Sequence, residues 1–364
     1  MSKLAKLNAY ADLVKAQTGK SKLRQFIEII QLSRGRQKLG VEEYYELGVF
    51  DDMCFPGQAK ARCVGWRGSA MLDQVLNDDY WRATANDKVL NYAILVHYGF
   101  PVPETIATFS PSGRKIANEI LLRTQDDLCR YLSTELSFPV FIKPVHGTYG
   151  RGTFCLQGPL NGSEAYLDIR GQTVSRSDLL AACLHNQYAG MLFQKRLVQH
   201  PEVAALVGPT VSCVRVIVAI ALDGSPEALL AFWKIGREKN ITDNFCMGES
   251  GNLLAWIDVS TGCVGRVITG LWPTGVERQE HPDTHAQLSG ARLPDWSEAL
   301  SLCCRAAELF PGLRLQHWDI AFSINGPVLM ELNTEADLGV PQYLGGKAFV
   351  TDGINALMAS RSSD

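Results

Sequence analysis

Two apolar runs near the end of the chain, His317-Trp-Asp-Ile-Ala-Phe and Leu329-Met-Glu-Leu-Asn-Thr, restrict the fold most tightly. They are strand-like, flank Ile324-Asn325-Gly326, and carry Asp319, Glu331 and Asn333. Two carboxylates and an amide form a hard oxygen set. That set suits Mg²⁺, a cation commonly shared with nucleotide phosphates. Side chains alternate between faces along a strand. Asp319, Ala321 and Ser323 therefore share one face, and Pro327, Leu329, Glu331 and Asn333 share another. A two-residue Asn-Gly turn sets Asp319 opposite Leu332 and separates the ligands. A three-residue loop with Gly326 left-handed sets Asp319 opposite Glu331. One metal needs one face, so the three-residue loop is expected. The plainer alternative is a surface hairpin with ordinary polar residues.

A second signal lies upstream. Lys143-Pro-Val-His-Gly147-Thr-Tyr-Gly150-Arg-Gly152 directly follows the apolar run Phe138-Pro-Val-Phe-Ile. Glycines let backbone N–H groups approach phosphate oxygens, and a lysine at a strand end adds a point charge. No Gly-Lys-Ser/Thr closes the loop, so it is not a Walker loop. Its glycine spacing does not fit a dinucleotide fingerprint either. Most glycine-rich loops are only turns. This one comes with Lys88, Lys143 and the downstream carboxylates.

The rest of the composition sets bounds. The chain has 364 residues, 46% hydrophobic and 20% charged, enough for two or three packed subdomains. A net charge of −3 without a basic run argues against a nucleic-acid partner. No apolar stretch approaches the roughly 20 residues that span a bilayer, and the N-terminus lacks a signal-type apolar core. The 10 cysteines include no Cys-x-x-Cys pair. Buried reduced thiols in a cytoplasmic protein are expected.

Residues 1 to about 50 read as helical. Asp87-Lys88 opens a helix that Gly99 ends before Pro101. Strands are expected at 138–143, 165–169, 190–194, 211–221 and 228–235. Helices are expected at 178–188 and 295–310, the latter capped by Asp295. Strand runs interspersed with helices indicate an α+β architecture in more than one lobe.

Lys88 before its helix, Gly99-Phe-Pro-Val-Pro103, Phe138-Pro-Val-Phe-Ile-Lys143-Pro144, the glycine loop and Asp319…Glu331-x-Asn333 together resemble the ATP-grasp superfamily. D-alanine–D-alanine ligases carry the same order of elements. The segments Gln194–Leu206, Ser212–Val216, Asp243-Asn244, Glu249–Gly262 and His281–Thr284 look closer to the sugar-transfer-associated ATP-grasp group and to alpha-L-glutamate-ligase-like proteins. The resemblance covers about residues 80–350. It implies two α+β lobes clamping ATP behind a partly helical N-terminal domain, with regions 1–105, 106–195 and 196–364.

By family position, Lys88 and Lys143 hold ATP phosphates under a cover of Gly147, Gly150 and Gly152. Gln194 and Lys195 line the adenine pocket, although many members have an acid where Gln194 stands. Asp319, Glu331 and Asn333 bind Mg²⁺. Arg215, alone on an apolar strand, needs an anionic partner. The resemblance makes that partner a transferred phosphate or a substrate carboxylate; the plainer reading is a structural ion pair. Lys234 is a further phosphate candidate or an edge-strand lysine, and Asn244 is a ligand contact or a turn former. His317 stands where D-alanine–D-alanine ligases have an arginine. His281, Asp283 and His285 read as a polar loop rather than a metal cluster.

The chemistry that the resemblance implies is ATP-dependent joining of a small-molecule carboxylate to an amine or thiol. It runs through an acylphosphate and releases ADP and phosphate. The alternative is a kinase on the same scaffold that phosphorylates a sugar-like hydroxyl. A third option is a non-catalytic nucleotide-binding partner. Many relatives dimerise, so a homodimer is a further expectation. Asp319→Asn and Glu331→Gln are both expected to abolish turnover and leave the fold intact.

Overall fold

The structure is a computed structural model that describes residues 2–35, 38–147, 150–238 and 240–361. Among the described residues six α-helices precede the first strand: α1 (Lys3–Thr18), α2 (Lys22–Arg34), α3 (Val41–Glu46), α4 (Trp66–Leu76), α5 (Asp79–Asn86) and α6 (Lys88–His97). The carboxylate of Asp87 accepts the Val89 and Leu90 N–H groups and so caps α6. Gly99, at φ 76°, turns the chain out after it.

The first sheet contains β1 (Thr105–Phe109), β2 (Ile120–Leu122), β3 (Val140–Pro144), β4 (Phe154–Pro159), β5 (Ala165–Asp168), β6 (Thr173–Ser175) and β7 (Met191–Lys195). Its spatial order is β2-β1-β7-β3-β4-β5-β6, antiparallel except for β1–β2. Helices α7 (Gln125–Arg130) and α8 (Arg176–His185) accompany it. Alternation sends Val140, Ile142 and Phe193 into this lobe's own core. Lys143 and Gln194 belong to the opposite face, which looks across to the second lobe.

After α9 (Pro201–Val207) the second sheet begins. It contains β8 (Val214–Ile220), β9 (Pro226–Ile235), β10 (Leu253–Ile257), β11 (Val264–Thr269), β12 (Val276–Arg278), β13 (Leu315–Ser323) and β14 (Gly326–Asn333), with α10 (Trp296–Ala307) before β13. Helices α11 (Gly339–Gly345) and α12 (Asp352–Arg361) follow. The antiparallel order is β12-β11-β10-β9-β8-β13-β14. Val214, Val216, Ala231, Trp233, Trp318 and Ile320 pack on one face with α6 and α10. Ile217, Ala219, Leu230, Phe232, Leu254 and Leu315 pack on the other with α1 to α3. Both faces are thus covered, which explains why these strands read as nearly continuous apolar runs.

Three local expectations need correction. Lys234 is not on an edge strand, since β9 lies between β10 and β8. Asp295 precedes α10 at φ 47° and its side chain makes no cap; its carbonyl accepts the Ala299 N–H instead. The β13–β14 loop has two residues, not three, because Ser323 pairs with Gly326 across Ile324-Asn325. That register alone would place Asp319 opposite Met330. A β-bulge between Asp319 and Ile320 shifts it, and Asp319 pairs with Glu331. Leu329 and Leu332 therefore both face the core, while Met330 and Glu331 both line the cavity described below. Leu329 does not share a face with Glu331. The single metal-compatible face is made by an inserted residue rather than by the turn.

Among the described residues, no helix is long and apolar enough to cross a membrane. The cysteines there are all free thiols.

Candidate active site

A cavity of about 640 Å³ opens between the two sheets, within the range of small-molecule sites. Lys88, Lys143, Gly147, Gly150, Gln194, Lys195, Arg215, Lys234, Asn244, Asp319, Glu331 and Asn333 all line it. Gly152 does not; at φ 72° it packs against Pro144 and serves the turn. Thr148 and Tyr149 of the glycine loop lie outside the described residues.

The second sheet supplies a charged band. Register places Asp319 beside Arg215. Their contact is bidentate, with Nε to Oδ1 and Nη2 to Oδ2 both at 2.7 Å. Lys234 Nζ donates to Asp319 Oδ2 at 2.9 Å and lies 3.5 Å from Asp243 Oδ1. Burial alone pushes the Asp319 carboxyl up, but Arg215 and Lys234 outweigh it and hold the group well below the usual range. Burial likewise opposes the charges on Arg215 and Lys234. Asp319 for Arg215, and Asp243 with Asp319 for Lys234, raise both above their ordinary values. Arg215 lines the cavity and keeps 18% of its side-chain surface, and its Nη1 has no hydrogen-bond partner among the described residues. Asn333 Nδ2 sits 3.5 Å from Asp319 Oδ2.

The first sheet and α6 supply the opposing lysines. Lys88 Nζ meets Glu331 Oε1 at 2.9 Å and the Gly147 carbonyl at 3.3 Å. Lys143 differs. Its ammonium is buried, donates to the Tyr92 hydroxyl at 2.8 Å, and forms no salt bridge among the described residues. Burial lowers its pKa, with Glu331 opposing too weakly to restore it. Tyr92 in turn donates to the carbonyl of the bulge residue Met330. Tyr92 was not among the sequence-derived site residues. It stands four residues after Lys88 on the same helix face, a signal that reads equally well as core.

The remaining expected positions are less engaged. Gln194 Nε2 donates to Thr105 Oγ1 at 3.2 Å. The Lys195 N–H is committed to the Glu104 carbonyl and the Arg196 N–H to the Pro139 carbonyl. Those two amides are therefore not free to read a base. Burial, with help from Arg215, pushes His317 down to about 3, so its imidazole is neutral. Its Nδ1 lacks a partner among the described residues. Asp283 is bound by Arg237 at 2.7 and 2.5 Å, as a polar loop requires. Burial raises the Cys155 and Cys213 thiols, which disfavours the thiolates that a cysteine nucleophile needs.

The residues present fit Mg²⁺. Among the described residues no three His, Cys, Asp or Glu side chains gather at metal-binding distance. Asp319 and Glu331 do face each other, however, and Mg²⁺ ordinarily completes its shell with water and phosphate oxygens. Each of these carboxylates now rests on a side-chain cation.

Gly150 joins the lobes. At φ 68°, a Cβ there would lie 2.7 Å from Thr242 Cγ2 and 3.2 Å from Asn244 Nδ2. Asn244 and Thr242 are fixed through their carbonyls by Asn252. Gly150→Ala is expected to strain the loop by about 1 kcal/mol or more and raise the KM for ATP roughly tenfold. Steady-state kinetics at varied ATP would check this, and an unchanged KM would show that the contact is idle.

A family model described as "Sugar-transfer associated ATP-grasp" matches residues 68–355. No curated protein sequence matches the chain. Among solved structures, the ATP-grasp ligase PsnB with its minimal precursor is 17% identical. That match covers 81% of this chain and 70% of PsnB at a TM-score of 0.38. The VanG D-Ala:D-Ser ligase from Enterococcus faecalis is 13% identical, covering 79% and 63% at 0.41. Biotin carboxylase from Campylobacter jejuni is 12% identical at 0.44, covering 82% of this chain but only 52% of its own. With most of its length matched by that model, the chain belongs to the sugar-transfer associated ATP-grasp family.

Proposed function

We propose that the protein is an ATP-dependent ligase that activates a small-molecule carboxylate and joins it to an amine or thiol, releasing ADP and phosphate. The observation that carries this reading is that one cavity is lined both by a buried Lys143, which forms no salt bridge among the described residues, and by Arg215, whose Nε and Nη2 alone are engaged with Asp319 there. One cation is left for phosphate and one for a carboxylate. In this reading Lys88 and Lys143 hold the ATP phosphates, and Gly147 and Gly150 cover them. Arg215 orients the attacking carboxylate, and Lys234 neutralises charge on the transferring group. Asp319, Glu331 and Asn333 would hold Mg²⁺, which would neutralise phosphate charge. The lobes are taken as 106–195 and 196–364. The region 1–105 contributes Lys88 and a wall of the cavity.

The carboxylate attacks the γ-phosphorus, a new C–O–P linkage forms, and the bond to ADP breaks. The nucleophile then displaces phosphate and loses a proton. The cover of the glycine loop keeps water from the acylphosphate. The test incubates protein, ATP and Mg²⁺ with a panel of carboxylic acids and hydroxylamine. ADP, free phosphate and an acid-dependent hydroxamate are expected. Phosphate retained on a product without hydroxamate would identify a kinase, and AMP with pyrophosphate would overturn both.

A further inference from the structure

Resting on the ligase reading, we propose that the acid substrate has an apolar body of aromatic size that lies against Trp66 and Met247 while its carboxylate meets Arg215. The cavity's charged band has apolar surface on both sides. On one side Phe141, Ile169 and Leu197 come from the first sheet and its exit, where a base would lie. On the other side the lining comes from the second sheet and the N-terminal helices. Phe232 pairs with Arg215 and Leu254 with Lys234, so the strand face leading away from the arginine is apolar.

Trp66 and Met247 stand out on that side. Both line the cavity, yet they remain 60% and 48% exposed. Large apolar side chains left open in a cavity wall are anchors for something else. Their backbones are held firmly. The Trp66 N–H donates to Glu43 Oε1 at 2.5 Å where α4 begins. Met247 sits at φ 54° between Cys246 at 48° and Gly248 at 94°. Left-handed non-glycine residues are strained, and such strain persists where the surrounding structure holds it in place. Gly248 is pressed onto the next turn, since a Cβ there would lie 2.4 Å from Gly270 Cα.

The acids nearby do not make this a cation site. Glu43 accepts the Gly40 and Trp66 N–H groups, and Asp337 accepts that of Gly339. Apolar acids gain from covering the open Trp66 and Met247 surface, a gain that hydroxyl-rich acids do not share to the same extent. Trp66 also precedes the segment that the family model matches, 68–355. The N-terminal region thus adds Trp66 to a wall whose other members, Phe232, Met247 and Leu254, lie within the matched segment.

The test compares wild type, Trp66→Ala and Met247→Ala with aryl-alkanoic, aliphatic and sugar acids. Binding is measured by calorimetry with a non-hydrolysable ATP analogue and Mg²⁺, and turnover by hydroxamate formation. Apolar acids should bind and react best. Each substitution should weaken apolar-acid binding roughly tenfold and leave the KM for ATP unchanged. Preference for sugar acids, unaltered apolar-acid binding in both variants, or no binding of apolar acids would overturn the subsite. Apolar acids that bind in a Trp66-dependent way but yield no hydroxamate would uphold the subsite and overturn the ligase reading.

Discussion

Lys143→Met is expected to raise the dissociation constant for ATP about 10- to 100-fold and, at neutral pH, to make the apo protein more stable. A hydrogen bond to a charged group contributes about 1.5–3 kcal/mol, which sets the binding loss. The stability gain follows from the same side chain without its ligand. An ammonium taken out of water costs several kcal/mol, and among the described residues its direct contacts are a hydroxyl and the Tyr92 ring, 5.2 Å away, while the charge on Glu331 opposes the penalty too weakly to cancel it. Methionine fills nearly the same volume without the charge. A gain of about 1 kcal/mol, roughly 2 °C, is expected by thermal melting. The gain should depend on pH. Lys143 has a folded pKa below its ordinary 10.5, so its penalty is fully present below the folded value. The penalty is relieved as pH rises toward 10.5, and the advantage of the methionine variant should shrink over that window. A variant that melts lower at neutral pH would show that Lys143 is structural.

Glu331→Gln should lower turnover about 10²–10³-fold with little change in melting. Glu331 keeps 28% of its side-chain surface, and its partner Lys88, though buried, retains the Gly147 carbonyl, so losing the pair should cost only about 1 kcal/mol. Asp319→Asn is different, and the expectation that it leaves the fold intact does not survive the structure. Asp319 is the counter-ion of two cations, the buried Lys234 and the half-buried Arg215. Removing its charge should cost about 3–5 kcal/mol as well as turnover. Its folded pKa lies below the unfolded 3.8, so this stabilisation is complete above 3.8 and disappears as pH falls through the folded value. Melting of both variants beside wild type separates the cases. A stable, inactive Asp319→Asn would contradict the ion-pair account, and an active Glu331→Gln would remove Glu331 from the metal set.

What could be read from the sequence was local. Lys88 follows its own cap, Lys143 ends an apolar strand, and Asp319 and Glu331 sit in apolar runs. Residue type and spacing are enough to show such positions. What could not be read was set by long-range packing. Alternation assumes that every residue advances the strand by one face, so it cannot show the bulge at Met330 and predicts a turn one residue too long. Tyr92 carries no mark that separates a support for Lys143 from an ordinary core aromatic. Trp66 reaches the cavity only because α1 to α3 cover one face of the second sheet and fix where α4 begins.

The most direct test of the central claim follows an oxygen atom. The acid identified by the hydroxamate panel is prepared with ¹⁸O in its carboxylate and turned over with ATP, Mg²⁺ and the nucleophile. The released phosphate is then read by ³¹P NMR. Activation through Arg215-held carboxylate predicts that one labelled oxygen moves from the acid into inorganic phosphate. Phosphate free of label, with both oxygens retained by the acid-derived product, would contradict it.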